Sequence, residues 1–173
     1  MSHTLAVTVL GHDRPGIIAT ATSALAELGG NLEDSSMTLL RGHFAMTLVV
    51  SSDADQPAVR AALVAAFADT DLVVTVIELT PSADASPSGP SYLLSVHGGD
   101  RPGIVSAVAG LVASHGGNVT DLTTRLAGTL YVVIAEVALP VDADVDALSR
   151  ELTALAGELG VEATLRPADS DLL

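Results

Sequence analysis

Two short segments of the chain combine both charge signs with glycines, GHDRPGI at residues 11–17 and GGDRPGI at residues 98–104. Each places an acid, a base, a proline and a glycine directly before an apolar run of helical spacing. Backbone N–H groups at the start of a helix attract anions, and a carboxylate attracts an ammonium group. The combination predicts a site for a small molecule with both charges on one carbon, such as an α-amino acid.

These two segments, called the DRPG turns below, supply most of the candidate ligand-binding residues. A glycine late in each turn would let a ligand approach the helix, the aspartate would receive an ammonium group, and the arginine would hold an anionic ligand or partner. His12 adds a hydrogen-bonding group that the second turn lacks, so the first turn is the preferred site. The candidates are Gly11, His12, Asp13, Arg14, Gly16 and Ile17, and Gly98, Gly99, Asp100, Arg101, Gly103 and Ile104.

The same residues also allow a purely structural interpretation, which stays open here. Asp13 can cap the helix, Pro15 suits a first helical turn because no intrahelical N–H is needed there, and Gly16 can permit close packing. His12 can be an ordinary solvated side chain, and the two arginines can be surface charges. A repeated motif then needs only a shared turn.

The chain repeats itself with an offset of 87 residues. Beyond the DRPG turns, the segment Gly29-Gly30-Asn31 returns as Gly116-Gly117-Asn118. Residues 80–91, TPSADASPSGPS, are rich in Pro, Ser and Gly and are predicted to be a linker. The sequence thus predicts a first domain over 1–79 and a second over 92–173. Since each has only a modest core, we expect the two to pack on each other or on a second chain.

Hydrophobic periodicity predicts the order β-α-β-β-α-β within each copy. In the first copy these are a strand over 4–10, a helix over 14–28, a hairpin that turns at Arg-Gly-His, a helix opened by Pro57 and a strand over 71–79. The second copy repeats the order. The predicted fold class is α+β, with two ferredoxin-like domains, each a four-stranded antiparallel sheet with both helices on one face.

With this element order and the repeated DRPG and GGN motifs, the chain resembles two ACT domains in tandem and is similar to the glycine cleavage system transcriptional repressor family. The resemblance covers nearly the whole chain except the linker and the ends. It implies modules that bind an amino acid or a similar metabolite and regulate something else. It also implies that Asn31 and Asn118 lie near a domain–domain interface, where an amide could donate to a bound carboxylate. Alternatively, Asn only tolerates the backbone geometry after Gly-Gly.

Composition excludes several other classes of function. Seven arginines and no lysine stand against 21 acidic residues, which gives a net charge of −14, so no basic patch for nucleic acid is expected. The chain has no cysteine, and its five histidines lack metal-binding spacing, so neither a metal nor a cofactor is expected. No apolar run is long enough for a membrane span and the N-terminus lacks a signal pattern, which predicts a cytoplasmic protein.

The predicted function is therefore regulatory. No nucleophile elbow, Walker loop or dinucleotide fingerprint is present, so catalysis is not expected. We expect a homo-oligomeric sensor of a small amino acid that acts through a protein partner, in glycine or one-carbon metabolism or its transcriptional control. Two alternatives remain: an interaction module without a ligand, and a separate regulatory subunit of an amino-acid enzyme.

Overall fold

The computed structural model describes residues 2–80 and 89–168. The chain divides into two compact units, Met1–Ser82 and Ala83–Leu173. Each has the predicted β-α-β-β-α-β order. The first contains β1 His3–His12, α1 Ile17–Glu27, β2 Asn31–Leu40, β3 His43–Ser52, α2 Gln56–Ala66 and β4 Val73–Glu78. The second contains β5 Ser91–Gly99, α3 Ile104–Ser114, β6 Asn118–Ala127, β7 Leu130–Ala138, α4 Val145–Leu159 and β8 Val161–Pro167.

The expected linker falls mainly on residues 81–88, which lie outside the described residues. At its far end the structure differs from the prediction, because Ser91 is already the first residue of β5. The carbonyl of Pro90 accepts a hydrogen bond from the Leu139 N–H at 3.2 Å, which ties this residue to the second unit.

Each unit contains one antiparallel four-stranded sheet. The strand orders are β2-β3-β1-β4 and β6-β7-β5-β8, which is the predicted ferredoxin-like arrangement. The ladder between β1 and β3 runs from the pair His3 and Ser52 to the pair His12 and His43. Strand β1 is therefore longer than the predicted 4–10, because its pairing continues through Gly11 to the edge of the DRPG turn.

The core of each unit lies between one face of the sheet and the two helices. Alternate residues of the central strands are buried, beginning with Leu5, Val7 and Val9 in β1, and they pack on the apolar stripes of α1 and α2. The second unit has an equivalent cluster between β5, β7, α3 and α4. The helices thus run along one face, and each DRPG turn lies where the chain passes from the central strand into the first helix.

Aspartates begin two of the four helices of the described residues, and Gly-Gly pairs end the other two. The side chain of Asp55 caps α2 by accepting a hydrogen bond from the Ala58 N–H at 3.0 Å. Asp144 caps α4 in the same way, with the Ala147 N–H at 2.8 Å. After α1, the N–H of Gly29 bonds to the Ala26 carbonyl, and that of Gly30 bonds to the Leu25 carbonyl. These are the two bonds of a Schellman motif, and Gly116-Gly117 repeats them after α3.

Among residues 2–80 and 89–168, no helix is both long and apolar enough to cross a membrane.

Candidate functional site

The DRPG turn has the same backbone conformation in both units. Gly16 has φ 93° and ψ −3°, and Gly103 has φ 93° and ψ −6°. These are the angles of the third residue of a type II turn, which favours glycine there and proline just before it. The Pro-Gly pair therefore fixes the direction in which the chain enters α1 and α3.

The position of the helix start corrects one expectation. The helix begins at Ile17 rather than at residue 14, Gly16 is its N-cap, and no side chain caps it. Asp13 is therefore not the cap, and Pro15 lies before the helix instead of in its first turn. The left-handed conformation of Gly16 decides this, because helical angles begin only after it. The start of α3 has the same arrangement around Gly103.

The first N–H groups of α1 and α3 thus lack the side-chain acceptor that α2 and α4 possess. The N–H groups of the first helical turn have no intrahelical partner, so such a terminus attracts an anion. No acidic residue stands in the first turn of α1 or α3 to neutralise the helix dipole. Each DRPG turn therefore presents free N–H groups next to an exposed aspartate, Asp13 or Asp100.

The glycines of the motif serve different purposes. Gly11 lies inside β1, where a Cβ would come within 2.8 Å of the Leu72 side chain. Gly98 lies inside β5 and is similarly close to Val161. These two allow close packing, a role that the structural interpretation gave to Gly16 instead. At Gly16 and Gly103 a Cβ would meet nothing within 4 Å, so the space above each helix start is open.

The first DRPG turn forms part of an open cleft of about 460 Å³. The charged side chains of Asp13 and Arg14 line it together with Gly16. Met37, on β2, contributes an apolar wall that the sequence analysis did not include. The side chain of Ile17 is 3% exposed and belongs to the core, so this residue offers a ligand only its backbone. Ile104, at 1%, is placed equivalently in the second unit.

His12 and Arg14 converge on Asp71, which precedes β4. The Nδ1 atom of His12 contacts Oδ2 of Asp71, and an Nη2 of Arg14 donates to Oδ1 at 3.1 Å. The hydrogen bond with the His12 side chain is the main reason that the pKa of Asp71 lies below its usual value. The His12 ring also lies 4.8 Å, centre to centre, from that of His43. His12, the feature that favoured the first turn, is therefore engaged within the protein.

The second DRPG turn lacks this cluster. Gly99 replaces His12, and a Cβ there would meet nothing within 4 Å. Within the described part of the chain, Arg101 makes no ion pair or side-chain hydrogen bond. The Arg101 guanidinium lies over Gly160. A Cβ on Gly160 would lie 3.2–3.3 Å from three atoms of that guanidinium.

Asn31 and Asn118 are not close to the DRPG turn of their own unit. Asn31 begins β2 and pairs with Ser51, which in turn pairs with Thr4 at the start of β1. The turn lies at the other end of β1, so about eight residues of strand, roughly 27 Å, separate the two positions. Asn118 is placed in the same way at the start of β6. Their expected contribution to a ligand site stays a prediction.

Two residues of the first site were missed because they are distant in sequence. Asp71 and His43 reach His12 only through the strand ladders, His43 as its direct partner in β3. The hairpin turn would have located His43, but nothing in the motif itself points to Asp71. Among the described residues, no three His, Cys, Asp or Glu side chains are placed to hold a metal ion.

Comparison with known proteins identifies the two units. The family profile described as the ACT domain matches residues 3–76 and 91–165. The chain is 27% identical over 171 residues to the glycine cleavage system transcriptional repressor of Escherichia coli, covering 94% of this chain and 89% of that protein. A crystal structure of a protein of unknown function from Galdieria sulphuraria has a TM-score of 0.82 at 31% identity, covering 97% of this chain and 99% of that one. A putative glycine cleavage system transcriptional repressor has the same fold, with a TM-score of 0.75 at 19% identity over 97% and 98% of the two chains.

Proposed function

As the chain belongs to the ACT domain family, with one domain in each half, we propose that it is a non-catalytic regulator that senses a small α-amino acid at its DRPG turns. The resemblance named from the two motifs is confirmed by the family match and by the similarity to the Escherichia coli repressor.

The observation that carries the proposal is the uncapped start of α1 beside an exposed acid. The ligand's carboxylate accepts hydrogen bonds from the N–H groups at the start of the helix, where the helix dipole favours negative charge. Its ammonium group binds Asp13, which lines the same cleft. The open space above Gly16 lets the α-carbon approach the backbone. The equivalent groups around Gly103 and Asp100 offer the same arrangement in the second unit.

The relative's name supports a biological setting. The Escherichia coli protein is named as a transcriptional repressor of the glycine cleavage system, so glycine is the first amino acid to test. A net charge of −14 disfavours direct contact with DNA. We therefore propose that any control of transcription passes through a protein partner in the cytoplasm, with the amino acid changing that contact.

The proposal is tested by thermal unfolding in the presence of each of the twenty amino acids. A ligand that binds only the folded protein raises its stability by an amount that grows with ligand concentration. We expect one or a few small amino acids to raise the unfolding temperature, and calorimetry then gives the affinity. A flat response to all twenty would reject amino-acid sensing.

Asp13→Asn and Asp100→Asn then test the ammonium contact. Because neither aspartate caps a helix, both variants should retain the parent's unfolding temperature without ligand. Binding should be weakened at the turn that loses its carboxylate. Unchanged affinity in the double variant would place the ligand elsewhere.

One observation favours the alternative of an interaction module that needs no ligand. The open face of the first sheet exposes adjacent apolar side chains, including Leu10, Val73 and Ile77 at 49, 62 and 54%. Such a patch suits contact with another protein. This function would be favoured if the ligand screen gave no response while substitution of Ile77 by Glu abolished self-association measured by sedimentation.

A further inference from the structure

The two DRPG turns differ in one charged residue that lies outside the motif. In the first unit, the Asp71 carboxylate accepts a hydrogen bond from Arg14 at 3.1 Å and contacts His12 with its other oxygen. The guanidinium of the first turn, that of Arg14, is therefore already bound to a carboxylate of the protein itself. Asp71 is ionised at neutral pH, since contact with His12 lowers its pKa.

Strand register identifies the residue that replaces Asp71 in the second unit. Leu10 of β1 pairs with Val73, and a Cβ on the next residue, Gly11, would meet Leu72. In the second unit Gly98 pairs with Val161, and a Cβ there would meet that valine. Leu72 and Val161 are thus equivalent, and Gly160 stands where the first unit has Asp71.

Gly160 has no side chain to offer Arg101. The guanidinium lies over this glycine without an acidic partner among the described residues. The neighbouring acid on β8, Glu162, contacts His97 at 3.1 Å. The aspartate inside the second turn, Asp100, corresponds to Asp13 in the first, so this acid does not distinguish the two turns. The second turn therefore has no counterpart of Asp71, and no acid within residues 2–80 and 89–168 pairs with its arginine.

We propose that the second DRPG turn is the stronger carboxylate site of the pair, with Arg101 as the anion-binding residue, and that Asp71 acts as a built-in competitor at the first turn. This inference rests on the proposed function, since it concerns how the two turns share a carboxylate-bearing ligand. It replaces the preference for the first turn, which was drawn from His12 alone. A ligand that enters the first turn has to displace Asp71 from Arg14 or do without the arginine.

The solvent exposure of the Arg14–Asp71 ion pair determines how much the two turns should differ in carboxylate affinity. The Arg14 and Asp71 side chains are 39 and 48% exposed, so solvent screens their attraction. Exposed ion pairs change an equilibrium constant by about 1.4- to 5-fold, and salt reduces the effect. The two turns should thus differ in carboxylate affinity by a factor of this order at low ionic strength, and by less at high salt.

The experiment uses the full chain and acetate as the probe, because acetate carries a carboxylate without an ammonium group. Two-dimensional NMR resolves the amide signals of Gly16 and Gly103, so one titration reports the affinity of each turn separately. In the parent protein we expect the Gly103 signal to saturate at lower acetate concentration than the Gly16 signal. The reverse order would overturn the inference.

Two variants and one matched control test the cause of this difference in affinity. Asp71→Asn frees Arg14 and should strengthen acetate binding at the first turn by about 1.4- to 5-fold, with no change at the second. Gly160→Asp places a carboxylate under Arg101 and should weaken acetate binding at the second turn more than Gly160→Asn, which adds the same strain at φ 65° and the same crowding of the guanidinium without the charge. Equal effects of Asp and Asn at residue 160, or no response to Asp71→Asn, would reject the assignment.

The outcome separates this inference from the proposed function. Acetate reports only on the anion preference, while the amino-acid screen reports on sensing. If an amino acid binds but acetate favours the first turn, sensing stands and the assignment to Arg101 fails. If acetate follows the expected order and no amino acid binds, the asymmetry stands and amino-acid sensing fails.

Discussion

At the scale of single residues, Asp71 links the DRPG turn to the strand that follows α2. Its carboxylate gathers His12 and Arg14, and hydrogen bonding with the His12 side chain is the largest cause of its lowered pKa. A carboxyl group with a lower pKa in the folded state stabilises that state when ionised. The stabilisation is present above the ordinary pKa of 3.8 and is lost as the pH falls through the lower, folded-state value.

This linkage predicts how Asp71→Asn behaves with pH. The variant should be less stable than the parent at about pH 5, and this difference should be smaller at about pH 2.5, because protonation of Asp71 in the folded state removes the stabilisation. Urea unfolding at a series of pH values measures the difference, and a titration of the Asp71 carboxyl carbon by NMR locates its pKa. In His12→Ala that pKa should move up towards the ordinary value. A difference in stability that stays the same at both pH values would contradict the linkage.

At the scale of secondary-structure elements, two glycines, one after α3 and one inside it, show which positions tolerate a side chain. A Cβ on Gly117 would lie 2.7 Å from the Leu139 side chain and 3.1 Å from the Val112 carbonyl oxygen. A Cβ on Gly110, inside α3, would meet nothing within 4 Å. Gly117→Ala should therefore lower the free energy of unfolding by about 1–3 kcal/mol, because the packing must shift.

Gly110→Ala, inside α3, is the matched control. It should raise stability by about 0.5–1 kcal/mol, since alanine is the better helix former in an open position. Thermal or urea unfolding of both variants measures the two changes. Similar effects of the two substitutions would mean that the contacts around Gly117 do not limit the fold.

The core of the second unit is incompletely filled. It has an entirely apolar cavity of about 90 Å³ between α3 and its sheet, lined in part by Val133 and Ala135. The equivalent positions of the first unit carry the larger Met46 and Leu48, both buried. The smaller side chains of the second copy account for the cavity.

Filling the cavity should stabilise the second unit. Ala135→Leu introduces the side chain that the first unit uses at this position, and a cavity of this size costs about 2 kcal/mol at most. We expect the free energy of unfolding to rise by about 1–2 kcal/mol, while the reverse change Leu48→Ala lowers it by about 2–5 kcal/mol. A loss of stability in Ala135→Leu would show that the site is too small for leucine.

The sequence predicts elements better than it predicts the contacts between them. Strand alternation and helical stripes are local signals, so the predicted order of strands and helices is confirmed. The start of α1 is misplaced because Asp13 and Pro15 both suit a helix start, and only the left-handed Gly16 decides between them. The contact of Asp71 with Arg14 spans 57 positions and depends on strand register, which no local pattern encodes.

At the scale of the whole molecule, charge determines which partners the chain can approach. Its net charge is −14, and its seven arginines are dispersed over separate turns, strands and helices. One of them, Arg14, is already paired with Asp71. Binding to DNA depends on several cations that together displace counterions from the phosphates, and it weakens steeply with salt. No such group of cations is present in this sequence.

We therefore predict that the purified chain does not bind duplex DNA, even though its Escherichia coli relative is named as a transcriptional repressor. Fluorescence anisotropy with labelled duplexes should show no salt-sensitive binding from about 50 to 200 mM salt, a range over which a protein with several phosphate contacts loses orders of magnitude in affinity. The same titration should be repeated with the amino acid that raises the unfolding temperature. It should again show no binding, because ligand binding adds too little charge to reverse the repulsion. A sequence-specific complex formed by this chain alone, with or without the ligand, would refute the argument from charge and the proposal that a protein partner is needed.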